Sequence, residues 1–188
     1  MTRPPLAALA VAVLILALGA CTRPQPDASG PSASDPGVPA DPPPISEHAA
    51  LLDAAQAEGT VSQCSRDSPA IEGSWTPSAA DVAHLEADLP AIEGQERQSV
   101  GRPDPRPMVR VGDVDLFYRQ YVGVVVGGRR LIYVNSFPLS QFEHWPEGTP
   151  LPDWRHEPLL VCDGGEGFWG VLYDPEARTF SGLAFNGG

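Results

Sequence analysis

The 188-residue chain contains no lysine. Its twelve cations are all arginine, set against 24 aspartates and glutamates, for a formal net charge of −12. Such a surface repels phosphate backbones, which proteins bind by clustering Arg or Lys to displace counterions. The composition therefore argues against nucleic acid as a partner and favours steering of a protein with a basic surface. Cysteine is scarce, at three residues, too few for a disulfide-dense scaffold. The histidines at 48, 84, 144 and 156 stand at no recurring ligand spacing from a cysteine, so no metal motif is present. Gly164, Gly165 and Gly167 lack the Lys-Ser/Thr and the following helix of a phosphate loop, and no other cofactor motif is found. The apolar run Leu6–Ala20 has 15 residues, short of the ~18–20 that span a bilayer comfortably.

That run carries a different meaning. Arg3 precedes it, no charge interrupts it, and it ends Leu18-Gly19-Ala20-Cys21. A positive start, an apolar middle and small residues at the exit are the layout of a secretory signal, expected over residues 1–20. The last four residues resemble the lipobox of bacterial lipoproteins. The resemblance implies diacylglyceryl transfer to the Cys21 sulfur, cleavage before Cys21 and acylation of the new amino terminus. Acyl chains contribute ~0.8 kcal/mol of membrane affinity per buried methylene, and two or more make a durable anchor. Thr22 rather than Asp follows the cysteine, which by resemblance to lipoprotein sorting rules implies the outer membrane, facing the periplasm. Removing residues 1–20 takes away Arg3 and no acid, leaving a charge near −13.

Residues 21–44 then form a linker. From Thr22 to Pro44 there are eight prolines and only Val38 as a large aliphatic residue. Such a stretch cannot bury enough apolar area to offset ordering entropy and is expected to be a disordered spacer of polyproline character.

Residues 45–188 are expected to form a single α+β domain. Ser46 can cap a helix running to about Glu58, with Ala49, Leu52 and Ala55 on one stripe and Gly59 closing it. A second helix has Thr76 at the N-cap, Pro77 in the first turn, and Val82, Leu85, Leu89 and Ile92 on one face. Pro90 should end or kink it near Asp88. Residues 93–110 read as an exposed loop. Leu116–Val126 and Arg129–Phe137 flank Gly127-Gly128, whose glycines can both take positive φ, so a β-hairpin is predicted. Residues 138–157 make a second loop. Leu159–Cys162, Phe168–Tyr173 and Arg178–Phe185 read as further strands joined by Asp163-Gly164-Gly165 and Asp174-Pro175-Glu176 turns. Helices followed by strands predict an antiparallel sheet of about five strands, with both amino-terminal helices packed on one face.

With Cys21 acylated, Cys64 and Cys162 remain, and in an oxidising compartment they are expected to pair. Catalytic geometry is thin. Glu143, His144, Asp153 and His156 gather in one loop near Ser136 and Ser140, without a nucleophile elbow. A hydrolase working through loops 138–167 would need a pocket joining His144 or His156 to Asp163 or Glu166; a purely structural envelope protein is the other alternative. Both faces of the predicted strands carry large side chains, and helices on one face would leave the other open. Either the helices, loops 93–110 and 138–157 and the amino-terminal segment cover both faces, or Tyr118, Arg119, Tyr121, Tyr133, Trp169 and Tyr173 form a candidate binding surface, since aromatics and Arg anchor interfaces. The segments YRQYVGVVVGGRRLIYVNSFP (118–138) and VCDGGEGFWGVLYDPEARTFSGLAFNG (161–187) resemble a domain of proteobacterial envelope proteins to which no activity attaches. The function expected is a lipid-anchored, non-enzymatic binding module of the cell envelope.

Overall fold

A computed structural model describes residues 45–95, 110–143 and 145–187. The signal segment, Cys21 and the linker lie outside the described residues, as do residues 96–109 of the expected loop and His144.

The glycine pair sets the centre of the fold. Gly127 (φ 57°) and Gly128 (φ 72°) turn β3 (Phe117–Val126) into β4 (Arg129–Pro138), and ten residue pairs follow in antiparallel register from Val126↔Arg129 to Phe117↔Pro138. Positive φ at both central residues matches the right-handed twist of the flanking strands. The two turn N–H groups donate to the Glu72 carboxylate at 3.2 and 2.8 Å. β5 (Trp169–Asp174) and β6 (Thr179–Phe185) continue the sheet antiparallel beyond β4.

The other edge of β3 is shared by two short strands, β1 (Ala49–Leu51) and β2 (Gly73–Trp75). β1 runs parallel to β3, pairing Ala49 with Arg119 and Leu51 with Tyr121. Among the described residues the sheet is thus six-stranded and mixed rather than wholly antiparallel. Gly123 permits the β2 contact: a Cβ there would stand 2.1 Å from the Trp75 carbonyl oxygen.

The predicted first helix is replaced by β1, a 3-10 turn at Ala54–Gln56 and α1 (Ala57–Val61). Ala49 and Leu52 enter different clusters on the two sides of the sheet, so their spacing does not mark a helical stripe. Asp53, not Ser46, caps the turn, accepting from the Ala55 N–H at 2.8 Å. The second helix, α2 (Ala79–Asp88), starts two residues later than expected: Ser78, not Thr76, is the N-cap and closes a reciprocal capping box with Asp81. It ends at Asp88 and tightens into a 3-10 turn over Leu89–Ile92, where Pro90 cannot supply an N–H. Leu159–Cys162 is not a strand. Its backbone is satisfied by side chains instead: Leu159 N–H donates to Gln120 Oε1, and the Leu159 carbonyl accepts from Gln63 and Asn135.

The two helices pack on opposite faces, correcting the expectation of a shared face. On the first face Val82, Leu85, Leu89 and Ile92 close over Tyr121, Ile132, Val134, Trp169, Val171 and Tyr173. On the second, Leu52, Ala57 and Val61 cover Val122, Val124, Leu131, Tyr133 and Leu172. A third cluster, Phe137, Leu159 and Phe168, lies further along that second face beneath loop residues Phe142 and Trp154. Cys64 and Cys162 are joined by a disulfide with Cα atoms 5.1 Å apart, pinning the segment after α1 to the chain that enters β5. Closing a loop of 98 residues restricts the unfolded chain by ~4–5 kcal/mol on the loop-entropy account.

Candidate functional site

Because both faces are covered, most of the predicted binding surface lies inside the protein. Arg119, Tyr121, Tyr133, Trp169 and Tyr173 are each 2% exposed or less, and only Tyr118 is half-buried. Four of the buried five have committed polar atoms. Tyr121 donates to Glu86 at 2.7 Å and accepts from Arg119 Nε at 3.0 Å, while Arg119 also caps the Val114 carbonyl at 2.6 Å. Tyr173 donates to Asp88 at 2.7 Å, and Arg178 grips the same carboxylate with bonds of 2.8 and 2.6 Å. Burial pushes the Tyr121 phenol well up, and burial with the Asp88 charge pushes Tyr173 up to about 12. The Arg178 bonds hold the Asp88 carboxyl below its usual range. These groups fasten α2 to the sheet.

The second face contains a polar belt between its two apolar clusters. Gln120 and Asn135 face each other across the β3–β4 register, joined by a 2.9 Å bond from Asn135 Nδ2 to Gln120 Oε1. Next in that row stands Gly170, and the guanidinium of Arg66 fills the slot it leaves. A Cβ on Gly170 would lie 2.9 Å from Arg66 Cζ and 2.3 Å from the Tyr133 hydroxyl oxygen. Arg66 donates to Tyr133 at 3.1 Å and to Asn135 at 2.5 Å, and among the described residues no carboxylate pairs with it. Burial lowers its pKa against the opposing pull of Tyr133. In the sequence Arg66 is one polar residue in a polar loop, and only the bare glycine far away reveals its berth.

Among the described residues two accessible features stand out. The first is an open cleft of about 590 Å³ at the hairpin-turn end of the sheet, lined by Trp75, Asp81, Arg129, Arg130, Asp174 and Glu176, with Gly128 and Pro175. Arg129 pairs with the buried Asp174, and Asp81 is occupied by its capping box. Trp75 is anchored by donating to the Leu131 carbonyl at 2.9 Å, and Arg130 lies 5.6 Å above its ring. Small-molecule sites are typically such concavities with a few polar groups.

The second is a stripe of half-buried aromatics at the opposite end. Trp145, Phe142, Tyr118 and Trp154 follow one another with ring centroids 6.0, 5.5 and 4.7 Å apart, and Phe137 forms their floor. The loop is held in place from several sides. Trp145 donates to the Pro150 carbonyl, Gln120 Nε2 donates to the carbonyls of Trp154 and Glu157, and Arg155 donates to those of Glu47 and Ala49. Arg155 lies 4.3 Å over the Trp154 ring. Glu143, Glu147, Asp153 and Glu157 of the same loop are exposed.

His156 is exposed and pairs with exposed Asp153 at 2.9 Å; Asp163 and Glu166 are also exposed, and buried Ser136 donates to the Tyr118 carbonyl. Among the described residues no group of three His, Cys, Asp or Glu side chains could hold a metal ion, and no helix is long and apolar enough to cross a membrane. No known family, curated protein or solved structure matches the chain.

Proposed function

We propose that the protein is an exported lipoprotein of the cell envelope, anchored by acyl chains on Cys21, whose domain is a non-enzymatic binding module for another macromolecule. The observation that carries the reading is the Cys64–Cys162 disulfide. Stable disulfides belong to oxidising compartments. That agrees with a chain whose first 21 residues run from a cation through an uncharged apolar segment to Leu18-Gly19-Ala20-Cys21. Thr22 favours delivery to the outer membrane, and the proline-rich stretch to Pro44 serves as the spacer between bilayer and domain. The binding role is supported by what the domain presents to solvent: aromatic rings and arginines, the side chains that most often anchor interfaces.

Mass spectrometry of the membrane fraction tests the anchor. The expected product begins at Cys21 and carries acyl chains, and Cys21→Ser should remain unprocessed and unacylated. A mature protein with an unmodified Cys21 would refute the reading.

A further inference from the structure

The reading above leaves open where the domain binds and what chemistry it recognises. We propose that the stripe Trp145–Phe142–Tyr118–Trp154 is the docking surface, and that its occupant is a lysine- or arginine-rich segment of a protein partner. The inference rests on the binding-module reading and names its surface.

Three observations converge on this occupant. The stripe is continuous and half-exposed, with successive ring centroids no more than 6.0 Å apart. Aromatic faces attract cations through their quadrupole, and guanidinium most of all. One ring already demonstrates the fit, because Arg155 of the same chain lies 4.3 Å over Trp154. Its two bonds to the carbonyls of Glu47 and Ala49 fix it there, so one cation is built into one end of the stripe and Tyr118, Phe142 and Trp145 are left to a partner.

The charge around the stripe selects the same sign. Glu143, Glu147, Asp153 and Glu157 are exposed in the loop that carries the rings, where Arg155 is the one arginine between residues 139 and 160. An incoming basic segment would be steered by these carboxylates and held by the rings, a division in which charge sets encounter and aromatic contact sets residence. Exposed Leu151 and Leu160, 62% and 54% accessible, add apolar area in the same loop. The hairpin-end cleft offers no such selection, since both of its charge signs are present and partly paired within the protein.

The test uses the purified mature chain with octalysine and octaglutamate peptides as probes, read by calorimetry and tryptophan fluorescence. Octalysine should bind and octaglutamate should not, and raising salt from about 50 to about 500 mM should weaken binding about tenfold or more. Trp145→Leu, and Asp153→Asn with Glu157→Gln, should each weaken binding by about tenfold. Glu176→Gln, at the β5–β6 turn on the far end of the sheet, should leave it unchanged. Absence of octalysine binding would overturn the assignment. Equal weakening by Glu176→Gln would also overturn it, because net charge alone would then be the attractor. The anchored-module reading fails on a separate measurement, the mass of Cys21, so the two failures are distinguishable.

Discussion

The hydroxyl of Tyr121 donates to the carboxylate of Glu86 at 2.7 Å, tying the middle of β3 to the outer half of α2. Two residues further along the helix the pattern recurs, with Tyr173 of β5 donating to Asp88 at 2.7 Å. Each carboxylate also receives an arginine, Arg119 at 3.5 Å and Arg178 at 2.6 Å. α2 is therefore fastened at two points by the same trio of groups, one drawn from within the sheet and one at its rim.

Tyr121→Phe keeps the ring and deletes the donor. The hydroxyl's bond to Glu86 and the bond it accepts from Arg119 are both lost while Glu86 and Arg119 retain each other, so the cost should be about 2–4 kcal/mol. Urea unfolding measures it, and an unchanged midpoint would show that the contact contributes nothing.

Asp88 gives a pH signature. Its folded pKa is lowered, first by the Arg178 bonds and also by Tyr173. A depressed carboxylate contributes stability that is fully present above the unfolded value, near 3.9, and is lost as pH falls through the folded value. Melting temperature of the native chain should therefore fall more steeply below about pH 4 than that of Asp88→Asn. Parallel curves for the two proteins would contradict this.

Gly170→Ala should be costly although no function touches the position. The new methyl would meet Tyr133 and Arg66 at less than van der Waals distance, and overpacking of this kind typically costs about 1–3 kcal/mol. Combining it with Arg66→Ala should cost less than the sum of the two, because the second change vacates the space the first invades. Strict additivity in chemical denaturation would show that Arg66 does not occupy that slot.

Replacing both Cys64 and Cys162 with alanine should lower stability by about 2–5 kcal/mol, the usual cost of losing a long-range native disulfide. A reducing agent should shift the native chain by a similar amount and leave the double variant unmoved.

Much of the sheet is legible from sequence because its signals are local. Gly127-Gly128 between two runs of β-branched and aromatic residues specifies both a turn and a register, and Val82, Leu85, Leu89 and Ile92 mark one helical face. What escapes is decided by partners far away. Ala49–Leu51 and Gly73–Trp75 are too short to show alternation, and they become strands because β3 has an edge to cover. Leu159 pairs with side chains rather than a strand, which no periodicity records. Arg119, Tyr121, Tyr133, Trp169 and Tyr173 lie inside for the same reason. Large residues on both faces of a strand signify burial on both sides once α1 crosses to the face opposite α2, whereas the exposed aromatics sit among prolines and acids of the 138–157 loop, where composition alone reads as solvated chain.

The parallel pairing of β1 with β3 has a mechanical consequence. A pull on the chain ahead of Ile45, directed along the strand axis, loads β1 in shear, so its ladder bonds and the two Arg155 clasps resist together instead of unzipping one at a time. β1 is short and lies at the sheet edge, but it sits directly beside the central hairpin, so such a load passes straight into β3.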